Sequence, residues 1–320
     1  ALEGAAHGIS FGSGLAAIST LAQTLSSGDE IVCTENVYGG TYRVFDQVFA
    51  KLGLGFSFVD TSDLAAVEAA FTERTKILFV ETPTNPVLQI TDLAKAADLA
   101  HSRGARLVVD NTFMTPYFQK PLALGADAVL HSMTKYLNGH SDVVGGILVT
   151  SDEELHEQLR FLQNAAGAVP GPWDCWLVLR GTKTLHLRMR QHEENAAAIV
   201  RLLEGHAGID KLFYPGLESH PGHELAKQQQ TGFGGMVSLD IGSLERAQQF
   251  VSQLHLFTLA ESLGGVESLV CHPASMTHAA VPEVDRDRIG VTDGLVRLSV
   301  GVEDADDLVA DVERALDTLS

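Results

Sequence analysis

Cysteine is scarce in this chain: Cys33, Cys175 and Cys271 are the only three in 320 residues, and no two of them form a C-x-x-C pair. An odd, scattered set offers no disulfide framework and suits a reducing compartment. Each reads as a small buried hydrophobe. Basic residues are also in short supply, 22 Lys and Arg against 41 Asp and Glu, for a net charge of −19. That balance excludes a nucleic-acid partner, because phosphate backbones are held by Lys/Arg surfaces. Any small anion must be held by backbone amides, helix ends and a few chosen side chains. No apolar run approaches the ~18 residues needed to span a bilayer. The start of the chain does not resemble a basic-then-apolar signal peptide. The expectation is a soluble, cytoplasmic protein with no membrane partner. Histidine is plentiful at 13, yet no H-E-x-x-H or comparable ligand spacing occurs. His131, His140, His272 and His278 read as isolated, so no metal is expected.

Apolar residues make up 45% and charged residues 20%, the balance of an ordinary globular protein. A length of 320 residues implies two domains, or one large α/β domain with an appendage. Residues 30–34, 55–59, 76–80, 106–110, 126–131 and 146–150 are short runs rich in Val, Ile, Leu and Phe, without clean polar alternation. Strands buried on both faces read this way. Helical patterns at 15–25, 63–71 and 93–103 lie between them. The alternation predicts a mainly parallel sheet covered by helices. After Gly181 the texture changes: a long helical stretch over 182–204, a Pro/Gly-rich passage from Tyr214 to Gly222, and a smaller α+β unit ending in a helix over 305–318. The predicted domains are therefore 1–181 and 182–320.

Three features carry chemistry. Gly12-Ser13-Gly14 precedes the Ala-rich stretch beginning Leu15-Ala16-Ala17. Glycines ahead of a helix let backbone approach a ligand, and the helix start presents unpaired N–H groups, which together make a phosphate cradle. Taken alone, Gly-Ser-Gly is an ordinary turn. Asp110 closes the run Arg106-Leu107-Val108-Val109, and the C-terminal ends of parallel strands are where open α/β sheets bind ligands. A carboxylate there can keep a pyridinium nitrogen protonated, or simply cap a turn. Lys135 follows the apolar run Ala128-Val129-Leu130 within His131-Ser132-Met133-Thr134-Lys135-Tyr136. Schiff-base chemistry needs a desolvated lysine of lowered pKa, and Ser132 and Thr134 place two hydroxyls beside it. In combination, a phosphate-binding helix start, an Asp for a ring nitrogen and a Lys for an aldehyde follow the order of a pyridoxal-phosphate fold.

The sequence resembles the cystathionine γ-lyase/γ-synthase family of fold-type I pyridoxal-phosphate enzymes. The motifs that carry the resemblance are Val37-Tyr38-Gly39-Gly40-Thr41, Glu81-Thr82-Pro83-Thr84-Asn85-Pro86, Val109-Asp110-Asn111-Thr112-Phe113, Ser132-Met133-Thr134-Lys135, Gly139-His140-Ser141-Asp142-Val143-Val144, Leu259-Ala260-Glu261-Ser262-Leu263-Gly264-Gly265 and Arg297-Leu298-Ser299-Val300-Gly301. They span nearly the whole chain. The resemblance implies an aminotransferase-like large domain followed by a small α+β domain, with pyridoxal 5′-phosphate as cofactor. It implies that Lys135 forms the aldimine and shuttles protons, that Asp110 pairs with the pyridine nitrogen, and that Tyr38 stacks on the ring and serves as an acid/base, these three being the catalytic residues. Ser13, the backbone of Gly14 and Leu15, Ser132 and Thr134 would hold the phosphate. Asn85 would contact the ring hydroxyl, Arg297 would clamp the substrate α-carboxylate, and Ser262 would orient Lys135 and the substrate. Arg43 and Glu261 resemble the pair that recognises the far end of cystathionine.

The activity implied is γ-elimination of L-cystathionine to cysteine, 2-oxobutanoate and ammonia. The alternative is γ-replacement on an O-acyl-homoserine by cysteine, which uses the same residues. Methionine γ-lyases carry a Cys after the Tyr-Gly pair, where this chain has Gly40. The resemblance also implies a homotetramer built from two dimers. Family members carry a Tyr-x-Arg segment that reaches a neighbouring subunit's phosphate. This sequence begins at Ala1-Leu2-Glu3, already close to the phosphate helix, and holds no such motif.

Overall fold

The computed structural model of the protein describes residues 1–279 and 283–319. Seven strands form the first sheet: β1 (His7–Phe11), β2 (Glu30–Thr34), β3 (Gly55–Val59), β4 (Thr75–Glu81), β5 (Arg106–Asp110), β6 (Ala128–Ser132) and β7 (Gly146–Thr150). Their order is β1-β7-β6-β5-β4-β2-β3. Strands β6, β5, β4, β2 and β3 run parallel, while β7 and β1 join antiparallel at one edge. The helices α1 (Gly14–Ala22), α2 (Gly39–Val44), α3 (Leu64–Ala70), α4 (Leu93–Ser102) and the short α5 (Thr115–Phe118) lie between the strands. Asp63 and Asp92 start α3 and α4 by accepting N–H bonds from Ala65 and Lys95, the work expected of Asp at an N-cap.

The lack of polar alternation has a direct cause. Val32, Leu78, Val80, Leu107, Val109 and Val129 enter one buried cluster. Their strand neighbours Ile31, Cys33, Ile77, Phe79, Val108, Ala128 and Leu130 enter another on the opposite face. Successive strand residues point to opposite faces, and here both faces are covered. The six strands foreseen are all present, with β4 extended by one residue at each end and β6 starting at Ala128. Strand β1 was not foreseen; it is a five-residue edge strand, and its pairing with β7 is non-local. Helix α1 ends at Ala22, earlier than its apolar pattern implied.

Three longer helices follow: α6 (Glu153–Ala166), α7 (Pro172–Gly181) and α8 (Leu185–Leu203). The second sheet contains β8 (Lys211–Phe213), β9 (Met236–Asp240), β10 (Thr258–Leu259), β11 (Leu269–Cys271) and β12 (Leu295–Ser299), in the order β10-β11-β12-β9-β8. It is antiparallel except between β10 and β11. Helices α9 (His223–Gln229), α10 (Leu244–Gln253), α11 (Glu283–Arg288) and α12 (Ala305–Asp317) belong to this half. Phe250 of α10 and Leu308, Val312 and Leu316 of α12 close its core over Val237, Leu239, Val296 and Leu298. Helix α8 serves both halves. Leu185 and Met189 pack with Met133 and Tyr136 of the first, whereas Ala196, Ile199 and Leu203 pack into the second. We propose the boundary at Gly181, just before this bridging helix.

Candidate active site

The carboxyl ends of β4, β5 and β6 deliver Glu81, Asp110 and Ser132 to one side of the sheet, and a cavity of about 350 Å³ opens there. Its wall includes Ser13, Gly14, Leu15, Tyr38, Asn85, Asp110, Ser132, Thr134, Lys135, Glu261, Ser262 and Arg297. Of the residues singled out in the sequence, only Arg43 is not among the lining residues. It lies exposed in the last turn of α2.

Lys135 sits in a single turn of π-helix after β6, and its own backbone departs from helical angles (φ −98°, ψ −139°). Its Nζ donates to Ser262 Oγ at 2.7 Å. Burial, reinforced by the Arg297 charge and partly opposed by Glu261, lowers its ammonium to about 8. Lowering favours the neutral, nucleophilic amine, and the neutral fraction grows as pH rises through that value. Capture of an aldehyde by Lys135 should therefore accelerate with pH, with a midpoint near 8, and level off above it. Stopped-flow growth of the visible band at a series of pH values measures this; a midpoint near that of an exposed lysine would contradict the geometry.

Ser262 holds a left-handed backbone (φ 84°) that non-glycine residues rarely adopt. Its carbonyl accepts Arg297 Nη2 at 2.9 Å, so one strained residue ties Lys135 to Arg297. Arg297, on β12, is almost fully buried and also donates Nη1 to Asn85 Oδ1 at 2.7 Å. Its Nε has no partner among the described residues. Such a guanidinium, fixed on one side and unspent on the other, suits a carboxylate.

Asp110 is 7% exposed. Its Oδ1 accepts both the backbone N–H and the hydroxyl of Thr112, at 3.0 and 2.6 Å. Thr112 Oγ1 in turn accepts the Ser132 N–H at 2.9 Å. Asp110 is thus a turn cap and a cavity-facing carboxylate at once. Burial raises its pKa despite the Thr112 bonds and the nearby His131. A cationic partner in the cavity would offset that cost.

At the start of α1, Ser13 Oγ accepts the Ala16 N–H at 2.9 Å, which leaves its hydroxyl hydrogen to donate. A side chain on Gly14 would crowd Ser132, with a Cβ 3.3 Å from Ser132 Cβ. Glycine here eases the close approach of two chain segments. Thr134 Oγ1 exchanges hydrogen bonds with the Gly145 backbone, at 3.1 Å to its N and 3.3 Å to its O. Tyr38 precedes α2 and lines the cavity, the residue as a whole being 45% exposed.

Other cavity residues were not singled out. Glu81 and Thr112 were inside quoted motifs, but nothing in their spacing marked them. Phe113, Val144 and Thr277 also line the cavity. The reading of His131 as isolated is corrected: its Nε2 meets Glu3 Oε1 at 2.6 Å, and Asn111 Nδ2 donates to the same oxygen at 3.0 Å. These groups lie 108 to 128 positions apart, so no local pattern reveals them. His7, Glu153 and His156 also come together, but the two rings stack in near-parallel planes 4.1 Å apart. Their ring lone pairs therefore do not converge on one ion. A larger cleft, about 950 Å³, separates the two sheets elsewhere and is lined by Lys211, His220 and Arg288. Arg288 there is already paired with Glu35.

Comparison with known proteins agrees with this geometry. The chain is 56% identical over 318 residues to the cystathionine gamma-lyase of Bacillus subtilis, covering 99% of this chain and 84% of that protein. It is 54% identical to the human cystathionine gamma-lyase, covering 99% and 78%, and 52% identical to the cystathionine beta-lyase of Lactococcus lactis, covering 99% and 83%. The crystal structure of metB from Corynebacterium glutamicum superposes with a TM-score of 0.97 at 50% identity, covering all of this chain and 83% of that one. Cystathionine gamma-lyase from Lactobacillus plantarum, complexed with L-serine, gives 0.96 at 49% identity, covering 99% and 84%. A sequence model of one family matches residues 1–317, and with a buried lysine, a strand-end aspartate and a helix-start serine around one cavity, the chain belongs to the Cys/Met metabolism PLP-dependent enzymes.

Proposed function

We propose that this protein is a cystathionine γ-lyase: L-cystathionine and water give L-cysteine, 2-oxobutanoate and ammonia. The observation that carries the reading is the Lys135–Ser262–Arg297 chain, which sets a proton-transferring amine beside a carboxylate clamp. Several relatives at 54–56% identity bear that activity as their name.

The cavity fits pyridoxal phosphate. Asp110 is a buried carboxylate with no salt-bridge partner among the described residues, Gly14 at the helix start packs closely on Ser132, and Lys135 is lowered toward its neutral form. Asp110 would hold the ring nitrogen, Ser13, Ser132, Thr134 and the first N–H groups of α1 the phosphate, and Lys135 the aldehyde carbon. When bound, the cofactor supplies an electron sink for the charge left as substrate carbon loses a proton.

The chain's own residues do the rest. Arg297 orients the substrate by its α-carboxylate, and Asn85 holds the guanidinium in line. Lys135 Nζ takes the proton from Cα, hands it on and so returns to the neutral amine, and then takes the proton from Cβ, with Ser262 Oγ fixing its direction. Loss of the Cβ proton drives out the γ-thiolate as cysteine. Tyr38 covers the cavity and limits water. Glu261, on the cavity wall, would meet the distal ammonium of cystathionine. Glu261→Ala should raise KM for cystathionine several-fold, about 1 kcal/mol, and more than for a substrate lacking that amino group. Equal effects on both substrates would leave Glu261 a wall residue only.

Product analysis tests the whole reading. Release of 2-oxobutanoate and cysteine is expected; homocysteine with pyruvate would mark β-elimination instead. Cystathionine made from O-acyl-homoserine and cysteine, with no cleavage, would mark the synthase.

We further infer a homotetramer of two tight dimers, and a cytoplasmic location consistent with three free cysteines. No helix among the described residues is long and apolar enough to cross a membrane. Trp173, Trp176 and Leu179 of α7 and Phe161 of α6 are largely exposed. The buried side of α7, at Val178, packs with Met133 and Tyr136 around the Lys135 turn. A partner on the exposed side would therefore brace the site. An obligate interface of this kind buries more than ~2,000 Å². Trp173→Glu with Leu179→Glu should shift sedimentation to smaller species and lower activity. An unchanged, fully active assembly would remove α7 from the interface.

A further inference from the structure

Glu81 ends β4 directly beside Asp110, its register partner on β5. Both line the cavity, and Glu81 is 5% exposed. A buried carboxyl is costly unless it is well engaged. Glu81 Oε2 accepts the backbone N–H of Tyr38 at 2.9 Å. Its own N–H donates to Thr34 Oγ1 at 3.2 Å, and Thr34 is joined through Thr61 to Thr91 by a chain of hydroxyl contacts. The strand end that presents Glu81 is therefore fixed.

The turn that Glu81 grips carries the Tyr38 ring. Tyr38 has no side-chain capping bond of its own to α2. A side chain at Gly39 would come within 2.8 Å of the Thr277 carbonyl, and one at Gly40 within 2.4 Å of Tyr38 Cε1. The ring thus lies back over Gly40, the turn packs closely on Thr277, and Glu81 holds the Tyr38 N–H. Burial first, and then Asp110, push the Glu81 carboxyl well above its ordinary range, while the Tyr38 N–H and Arg297 pull it back. The Tyr38 bond does not depend on the charge of Glu81, because a carboxyl oxygen accepts an N–H in either protonation state.

We propose that Glu81 is a positioning residue, whose carboxyl fixes the turn that sets the Tyr38 ring over the cavity beside Asp110. This rests on the functional reading above, and Glu81 acts through Tyr38, without touching the reacting atoms.

The test uses the holoenzyme and two readouts, steady-state kinetics with cystathionine and the visible circular dichroism of the bound cofactor. Glu81→Ala should lower kcat roughly tenfold, the loss of one well-placed buried hydrogen bond, and weaken the dichroic band. Glu81→Gln, whose amide oxygen accepts the same N–H, should recover most of both. In a Tyr38→Ala background, Glu81→Ala should cost little more, because a residue acting through Tyr38 has nothing left to position. Glutamine as damaging as alanine, or fully additive losses in the double variant, would overturn the proposal. So would a Glu81→Ala enzyme with wild-type kcat and dichroism. If the unmodified enzyme fails to cleave cystathionine, the functional reading falls. The dichroic comparison then still decides the role of Glu81.

Discussion

Lys135→Ala is expected to abolish the visible absorbance of the cofactor-loaded enzyme and to cut turnover by ~10³-fold or more, the upper range for removing a positioned acid/base that is also the point of covalent attachment. The structure makes this residue hard to replace. Its Nζ donates to Ser262 Oγ, and Ser262 is held in a left-handed conformation that also fixes Arg297. The substitution removes the amine while Ser262 and Arg297 remain, so cofactor and substrate carboxylate should still bind weakly. Absorbance spectra and single-turnover kinetics check both parts. Turnover near wild type in Lys135→Ala would mean that another group moves the protons.

Asp110→Asn should have the second-largest effect, about 3 kcal/mol or ~10²-fold in kcat, the scale of a preorganised charge at a site where charge develops. Folding should be little changed, because Asn can still accept from Thr112 through its amide oxygen. The sign for stability follows from linkage. Burial raises the Asp110 pKa in the cofactor-free protein, so the ionised carboxylate destabilises the fold and that cost appears as pH rises above the unfolded value. Asp110→Asn should therefore leave apoenzyme stability the same or slightly higher at neutral pH, while kcat falls. Thermal melts of the apoenzyme alongside holoenzyme kinetics separate the two. A near-normal kcat would mean that Asp110 serves only as the Thr112 turn cap.

The residues that gather at the cavity, to which we assign the chemistry, were legible because each sits at a boundary that sequence marks well. Asp110 and Ser132 end apolar strands, Ser13 precedes an Ala-rich helix, and Lys135 follows a strand end that carries the hydroxyls of Ser132 and Thr134. Other features depended on distance. Glu3 and His131 meet across 128 positions, and β1 finds its partner β7 at the far edge of the sheet. Neither pairing has a local signal, since an edge strand of five residues and a lone histidine look the same in a loop. Glu81 was hidden for another reason. It stands in a quoted motif, but its role lies in a bond to a backbone N–H 43 positions away, and any residue type has such an N–H. Arg43 shows the converse: its charge drew attention, yet the turn of α2 carries it to the exposed surface and away from the cavity wall.

What the sequence by itself determined is the chemistry and the fold class. Runs buried on both faces demand a covered parallel sheet, and such a sheet gathers its strand ends, with Asp110 and the Lys135 turn, on one side. Only the tertiary structure decided how those groups are tuned. The fall of Lys135 to about 8 needs its burial in the packed chain first, and then the Arg297 charge from the other sheet. The hold on Tyr38 needs Glu81 from a neighbouring strand. Desolvation and charge proximity act through space and fall off over a few ångströms, so they belong to the packed chain and to no stretch of its sequence.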